Sequence, residues 1–119
     1  MLTLPPTVQI FLAREPADLR KSFDGLAALV RGPLEADPLC GHLFVFRNKR
    51  GDRLKILAWD RDGWTIFYKR LEQGVFQFPA LCRDVDAVSI TVRPEELTML
   101  LAGIDLASVR RQKRYVRPA

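Results

Sequence analysis

Residues Leu43 to Lys69 read LFVFRNKRGDRLKILAWDRDGWTIFYK, and their pattern decides the fold class. Three runs rich in β-branched and aromatic residues, Leu43–Arg47 (LFVFR), Leu54–Trp59 (LKILAW) and Trp64–Lys69 (WTIFYK), are divided by Asn48–Asp52 (NKRGD) and Asp60–Gly63 (DRDG). Asparagine, aspartate and glycine supply the backbone conformations of tight turns, so the stretch predicts a three-stranded antiparallel meander. Successive side chains of a strand point to opposite faces. In the middle run, Leu54, Ile56 and Ala58 therefore share one face, and Arg53, Lys55, Leu57 and Trp59 share the other. The first is expected to be core and the second a mixed basic and aromatic surface.

Outward from the meander, Val8–Ala13 (VQIFLA) suits a first strand. From Pro16, acceptable at the first position of a helix, apolar residues recur at Leu19, Phe23, Leu26 and Val30 until Gly32 and Pro33 stop the run. A helix over this span would set Arg20, Asp24 and Arg31 on its wet face. Pro33–Gly41 has loop composition. Beyond the meander, Val75–Phe78 (VFQF) could add a short strand, and Val88–Val92 (VSITV) reads as another. Pro94, Glu95 and Glu96 then open a helix whose first-turn acids suit its dipole, with an apolar stripe of Leu97, Leu100, Leu101 and Ile104 and with Gly103 near its end. The expected class is α+β: a mainly antiparallel sheet built on the meander, two helices and a basic C-terminal arm. At 119 residues the chain is long enough for one core, so residues 1–105 are expected to form a single domain and residues 106–119 the arm.

The formal charge of +5 is concentrated. After Asp105 come five basic residues (Arg110, Arg111, Lys113, Arg114, Arg117) and no acidic one, leaving 14 basic against 14 acidic residues elsewhere. Such an arm attracts phosphates. No apolar run is long enough to span a bilayer and the first residues lack the pattern of a secretory signal, so a cytoplasmic protein with no membrane association is expected. Cys40 and Cys82 are far apart with no CxxC spacing, which predicts reduced thiols rather than a zinc site or redox pair.

No constellation calls for catalysis. Asp60 and Asp62 are close enough to hold a metal, but an Asp-Gly step between two β runs is first of all hairpin punctuation. His42 has no nucleophile motif beside it, and the chain has no GxSxG, Walker or GxGxxG motif. Glu95 and Glu96 have a sufficient reason in the helix start. The expectation is a protein that is not an enzyme and carries neither cofactor nor metal. What remains is a basic and aromatic cluster. Arg47, Lys49, Arg50, Arg53, Lys55, Lys69 and Arg70, with Arg110, Arg111, Lys113, Arg114 and Arg117 of the arm, are candidate nucleic-acid contacts; Trp59, Trp64 and Tyr68 are candidate protein-contact anchors. A solvated sheet edge, kept soluble by the same lysines and arginines, is the competing explanation for the cluster.

The segments DLRKSFDGLAALV (Asp18–Val30), GHLFVFRNKRGDRLKILAWDRDGWTIFYKRLEQGVFQFP (Gly41–Pro79) and LTMLLAGID (Leu97–Asp105) together resemble the TnpB-type accessory protein encoded by the second reading frame of the insertion-sequence sixty-six family. Cys40 and Ala58 stand where that family pattern leads one to expect a small residue such as serine and an aromatic. The resemblance implies a bacterial mobile-element protein acting beside a separate, larger transposase that carries the catalytic acids, and it assigns no residue a role. The expected function is therefore an accessory protein for DNA transposition that binds element DNA, the transposase, or both. The alternatives are an adaptor for the transposase with no DNA contact and, behind it, a small nuclease using Asp60 and Asp62 with a metal.

Overall fold

A computed structural model of the chain describes residues 7–78, 87–105 and 110–111. In chain order its elements are β1 (Ile10–Ala13), α1 (Phe23–Arg31), β2 (Leu43–Arg47), β3 (Arg53–Asp60), β4 (Gly63–Arg70), β5 (Ser89–Val92), α2 (Pro94–Leu101), β6 (Ile104–Asp105) and β7 (Arg110–Arg111). Strands β2, β3 and β4 form the antiparallel meander read from the sequence, Val45 lying opposite Ile56 and Ile56 opposite Phe67. Strand β1 adds to β2 in parallel, and β5 adds to β1 antiparallel, so the sheet order is β4-β3-β2-β1-β5. Three of its four pairings are antiparallel, as an α+β chain with one helical crossover requires. The short strands β6 and β7 pair separately.

Both faces of the sheet are covered. On one, Ile10, Leu12, Val45, Leu54 and Ile56 pack with Leu97, Leu100 and Leu101 of α2. On the other, Phe44, Phe46 and Leu57 pack with Leu26, Ala27 and Val30 of α1. This corrects the expectation of one core face and one basic and aromatic surface. Leu57 and Lys55 lie on the supposed open face and are buried, because α1 and the segment before it lie across that side of β3.

Helix α1 begins at Phe23, a full turn or more later than the sequence predicts. Asp18 is the physical reason. Its Oδ1 accepts the Arg20 backbone N–H at 3.0 Å and its carbonyl accepts that of Lys21 at 3.1 Å, a local pattern that competes with helix propagation. Leu19 is buried all the same, carried inward by this turn. Val75–Phe78 forms no strand; the Phe76 N–H donates to the Gly51 carbonyl at 2.8 Å and the ring is buried. Helix α2 stops at Leu101, with Gly103 at φ +78°, so Ile104 belongs to β6 rather than to the helix.

Candidate nucleic-acid interface

The turn between β2 and β3 is built by one side chain. Asn48 Oδ1 accepts the backbone N–H groups of Gly51 and Arg53, each at 3.0 Å, and its Nδ2 donates to Asp52 Oδ1 at 2.7 Å. Gly51 sits at φ +80°, where a residue with a Cβ is strained. The Asn48 amide and the Arg50 charge hold the Asp52 carboxyl below its ordinary pKa. With its own polar groups satisfied, the turn pushes Lys49 and Arg50 into solvent. Neither makes a hydrogen bond or ion pair with the described residues.

Beside the turn, a cleft of about 340 Å³ is bordered by Asp18, Arg20, Arg50, Asp52, Arg53 and Tyr68. Arg20 reaches it from the segment before α1 and is held by Asp18, with Nη2 to Oδ2 at 2.8 Å and Nε to Oδ1 at 3.0 Å. That bond, with the Arg20 backbone N–H, lowers the Asp18 pKa to about 2. Arg53 is exposed, and its Nη1 donates only to the Tyr68 hydroxyl, at 3.3 Å. That partner is neutral, and the carboxylate that feels the Arg53 charge is Asp52 of the same cleft. The cleft thus sets three arginines, Arg20, Arg50 and Arg53, against two carboxylates, Asp18 and Asp52, an excess of one positive charge, with Arg20 held by Asp18 and neither Arg50 nor Arg53 in an ion pair among the described residues.

The fold engages other candidates from the sequence. Lys55 is 9% exposed; its Nζ donates to the Lys21 carbonyl at 2.9 Å and lies 4.9 Å from the centroid of the Tyr68 ring. Arg47 is partly buried, with Nη2 donating to the Arg14 carbonyl at 2.9 Å and the guanidinium carbon 5.2 Å from the Phe78 ring centroid; burial lowers its pKa, and its Nε is buried without a hydrogen-bond partner. Lys69 Nζ donates to the Leu101 carbonyl at 2.8 Å, placing a cation at the C-terminal end of α2. Arg70 is paired with Glu72 at 2.7 Å, which raises its pKa. Trp59 and Trp64 face each other across β3 and β4 as an edge-to-face pair, centroids 5.0 Å apart and both half-buried. Arg110 and Arg111 form β7, and Lys113, Arg114 and Arg117 lie outside the described residues.

Sequence reasoning placed Arg20 on a helix surface and so missed it as a cleft residue. The available signal was Asp18, a residue whose side chain favours turns over helix interiors. His42 is structural: its Nδ1 accepts the Gln9 N–H at 3.0 Å and its ring meets Phe11 edge-on. Asp60 and Asp62 flank Arg61 in the two-residue turn between β3 and β4. Among the described residues, no group of three or more His, Cys, Asp or Glu is arranged to hold a metal, and no helix is long and apolar enough to cross a membrane. The Cys40 thiol is exposed and free, and Cys82 lies outside the described residues.

Fold and cleft define a small three-layer α+β protein, one helix on each side of a five-stranded sheet, with a basic hollow at one hairpin end. The chain belongs to the family described as IS66 Orf2 like protein, which matches residues 8–111, and it is accordingly an insertion-sequence-associated accessory protein. Over 105 residues it is 43% identical to the uncharacterized protein y4jC of Sinorhizobium fredii, covering 88% of this chain and 86% of that one. It is 37% identical over 105 residues to the uncharacterized protein y4hO of the same organism, covering 88% of each. No solved structure matches the chain.

Proposed function

We propose that this protein assists transposition in the bacterial cytoplasm by binding the DNA of its element, performing no chemistry itself and leaving cleavage and joining to a separate transposase. The observation that carries the reading is the pair Arg50 and Arg53, two exposed guanidinium groups in no ion pair among the described residues, at the rim of one cleft whose three arginines outnumber its two aspartates. Guanidinium recognises phosphate through parallel N–H donors, and charge without an internal partner is charge available to a polyanion. The basic residues of the C-terminal arm supplement it by non-specific attraction.

Fluorescence anisotropy with a labelled duplex from the element's terminus tests this across a salt series. The affinity is expected to fall steeply with salt, and Arg50→Ala and Arg53→Ala should each weaken binding and flatten the slope of log K against log salt by about one unit. Undetectable binding at low salt, or variants indistinguishable from wild type, would overturn it. The half-buried Trp59–Trp64 pair on the outermost two strands supports a second reading, docking on the transposase. Co-purification that survives nuclease treatment and the loss of both arginines, but not Trp64→Ala, would favour that reading.

A further inference from the structure

The geometry points to the cleft beside Tyr68 as a seat for an unpaired nucleotide, with its base on the Tyr68 ring and its phosphates on Arg50 and Arg53. This inference rests on the DNA-binding reading and specifies the form of DNA.

Three observations converge on it. Tyr68 is 49% exposed although it belongs to a strand covered by a helix on the same side, and it lines the cleft. The ring is also fixed. Lys55 Nζ lies 4.9 Å from its centroid, itself anchored by the Lys21 carbonyl, while Arg53 Nη1 donates to its hydroxyl. A platform already held in place loses little freedom when a base stacks on it. Arg53 and Tyr68 are two residues out of direct register across β3 and β4, a diagonal pair, the opposite pairs being Arg53 with Arg70 and Lys55 with Tyr68. They lie on the same face of the sheet, and the turn carries Arg50 to the same opening. Phosphate donors and stacking surface therefore line one hollow of about 340 Å³, within the range of small-ligand pockets.

A base pair inside a duplex hides its flat faces against its neighbours, so duplex DNA can use the two arginines but not the ring. An unpaired strand can use all three. Single-stranded DNA should gain over duplex through Tyr68 alone, whereas purely electrostatic contact would follow phosphate density and favour the duplex.

The experiment compares one oligonucleotide in three forms, single-stranded, fully paired, and single-stranded with its central bases removed, at one fixed salt concentration and with the complete chain. Wild type is expected to bind the intact single strand best, and removing the central bases should weaken it about tenfold, the scale of one base–aromatic stack. Tyr68→Ala should lose about the same factor on the intact single strand, lose nothing on the duplex, and no longer distinguish intact from abasic DNA. Tyr68→Phe should keep the wild-type preference. Because Tyr68 is half exposed, thermal unfolding of each variant checks that the fold is retained. Equal affinity for all three forms, unchanged by Tyr68→Ala, overturns this inference and leaves the DNA-binding reading standing. Absence of binding to any form overturns both.

Discussion

Lys55 and Arg50 look alike in the sequence, two basic residues near one turn, and differ completely in the fold. The alternation of β3 places Arg53, Lys55 and Leu57 on one face, and whether that face is wet depends on where α1 crosses it. The crossing covers Lys55 and stops short of Arg53. Nothing local to the strand carries that information, so burial split a cluster that sequence could only treat as one. Asp18 makes the opposite point: a single short acid before a helix decides both the late helix start and the neutralisation of Arg20. Its folded pKa of about 2 is depressed from 3.8, so the folded state binds the proton less tightly than the unfolded one. The stability it contributes is present above the unfolded value and is lost as pH falls from about 4 towards 2, which a carboxyl NMR titration combined with thermal unfolding will read. The same pair predicts that Asp18→Asn, which can still accept the Arg20 N–H, frees a third guanidinium at the cleft. DNA affinity should rise, and the salt slope should steepen by about one unit.

At the scale of elements, the β2–β3 turn shows how much structure five residues can specify. Asparagine, glycine and aspartate at positions 48, 51 and 52 were legible as turn chemistry, and each does what that chemistry allows: acceptor, positive φ and amide partner. Replacing Gly51 by alanine forces a Cβ into a left-handed conformation and sets it 3.4 Å from Val75 Cβ. The expected cost is about 1–2 kcal/mol, measured as a shifted urea midpoint with an unchanged slope. Binding should fall along with it, since the turn aims Arg50. Val75–Phe78 was less legible. Four residues of alternating apolar character resemble a strand, but the burial of Phe76 and the position of Phe78 beneath Arg47 satisfy that pattern without a ladder. Periodicity reports which side chains are inside, and it cannot tell a strand from a loop that inserts its aromatic residues into a core.

For the whole molecule, the pairing of β1 was the part hidden from the sequence. The meander is local and its register follows from its turns, whereas β1 joins β2 across a helical crossover and joins β5 from near the far end of the chain, Ile10 lying opposite Val92. Hydrophobic pattern shows that a strand is buried on both faces without naming its neighbours. A chain ended at Ala87 would lack β5 and α2, removing Val92, Leu97, Leu100 and Leu101 from one core and opening the edge of β1. Such a truncation is expected to show no cooperative unfolding transition and to aggregate, as circular dichroism and size-exclusion chromatography will record. The position of β1 between β2 and β5 has a consequence for synthesis. Strand β1 cannot complete its pairing until Ser89–Val92 has emerged from the ribosome, so this sheet closes long after β1 is made. Copies of the gene decayed by a frameshift or early stop then yield fragments for proteolysis, not shortened proteins able to compete with the intact one.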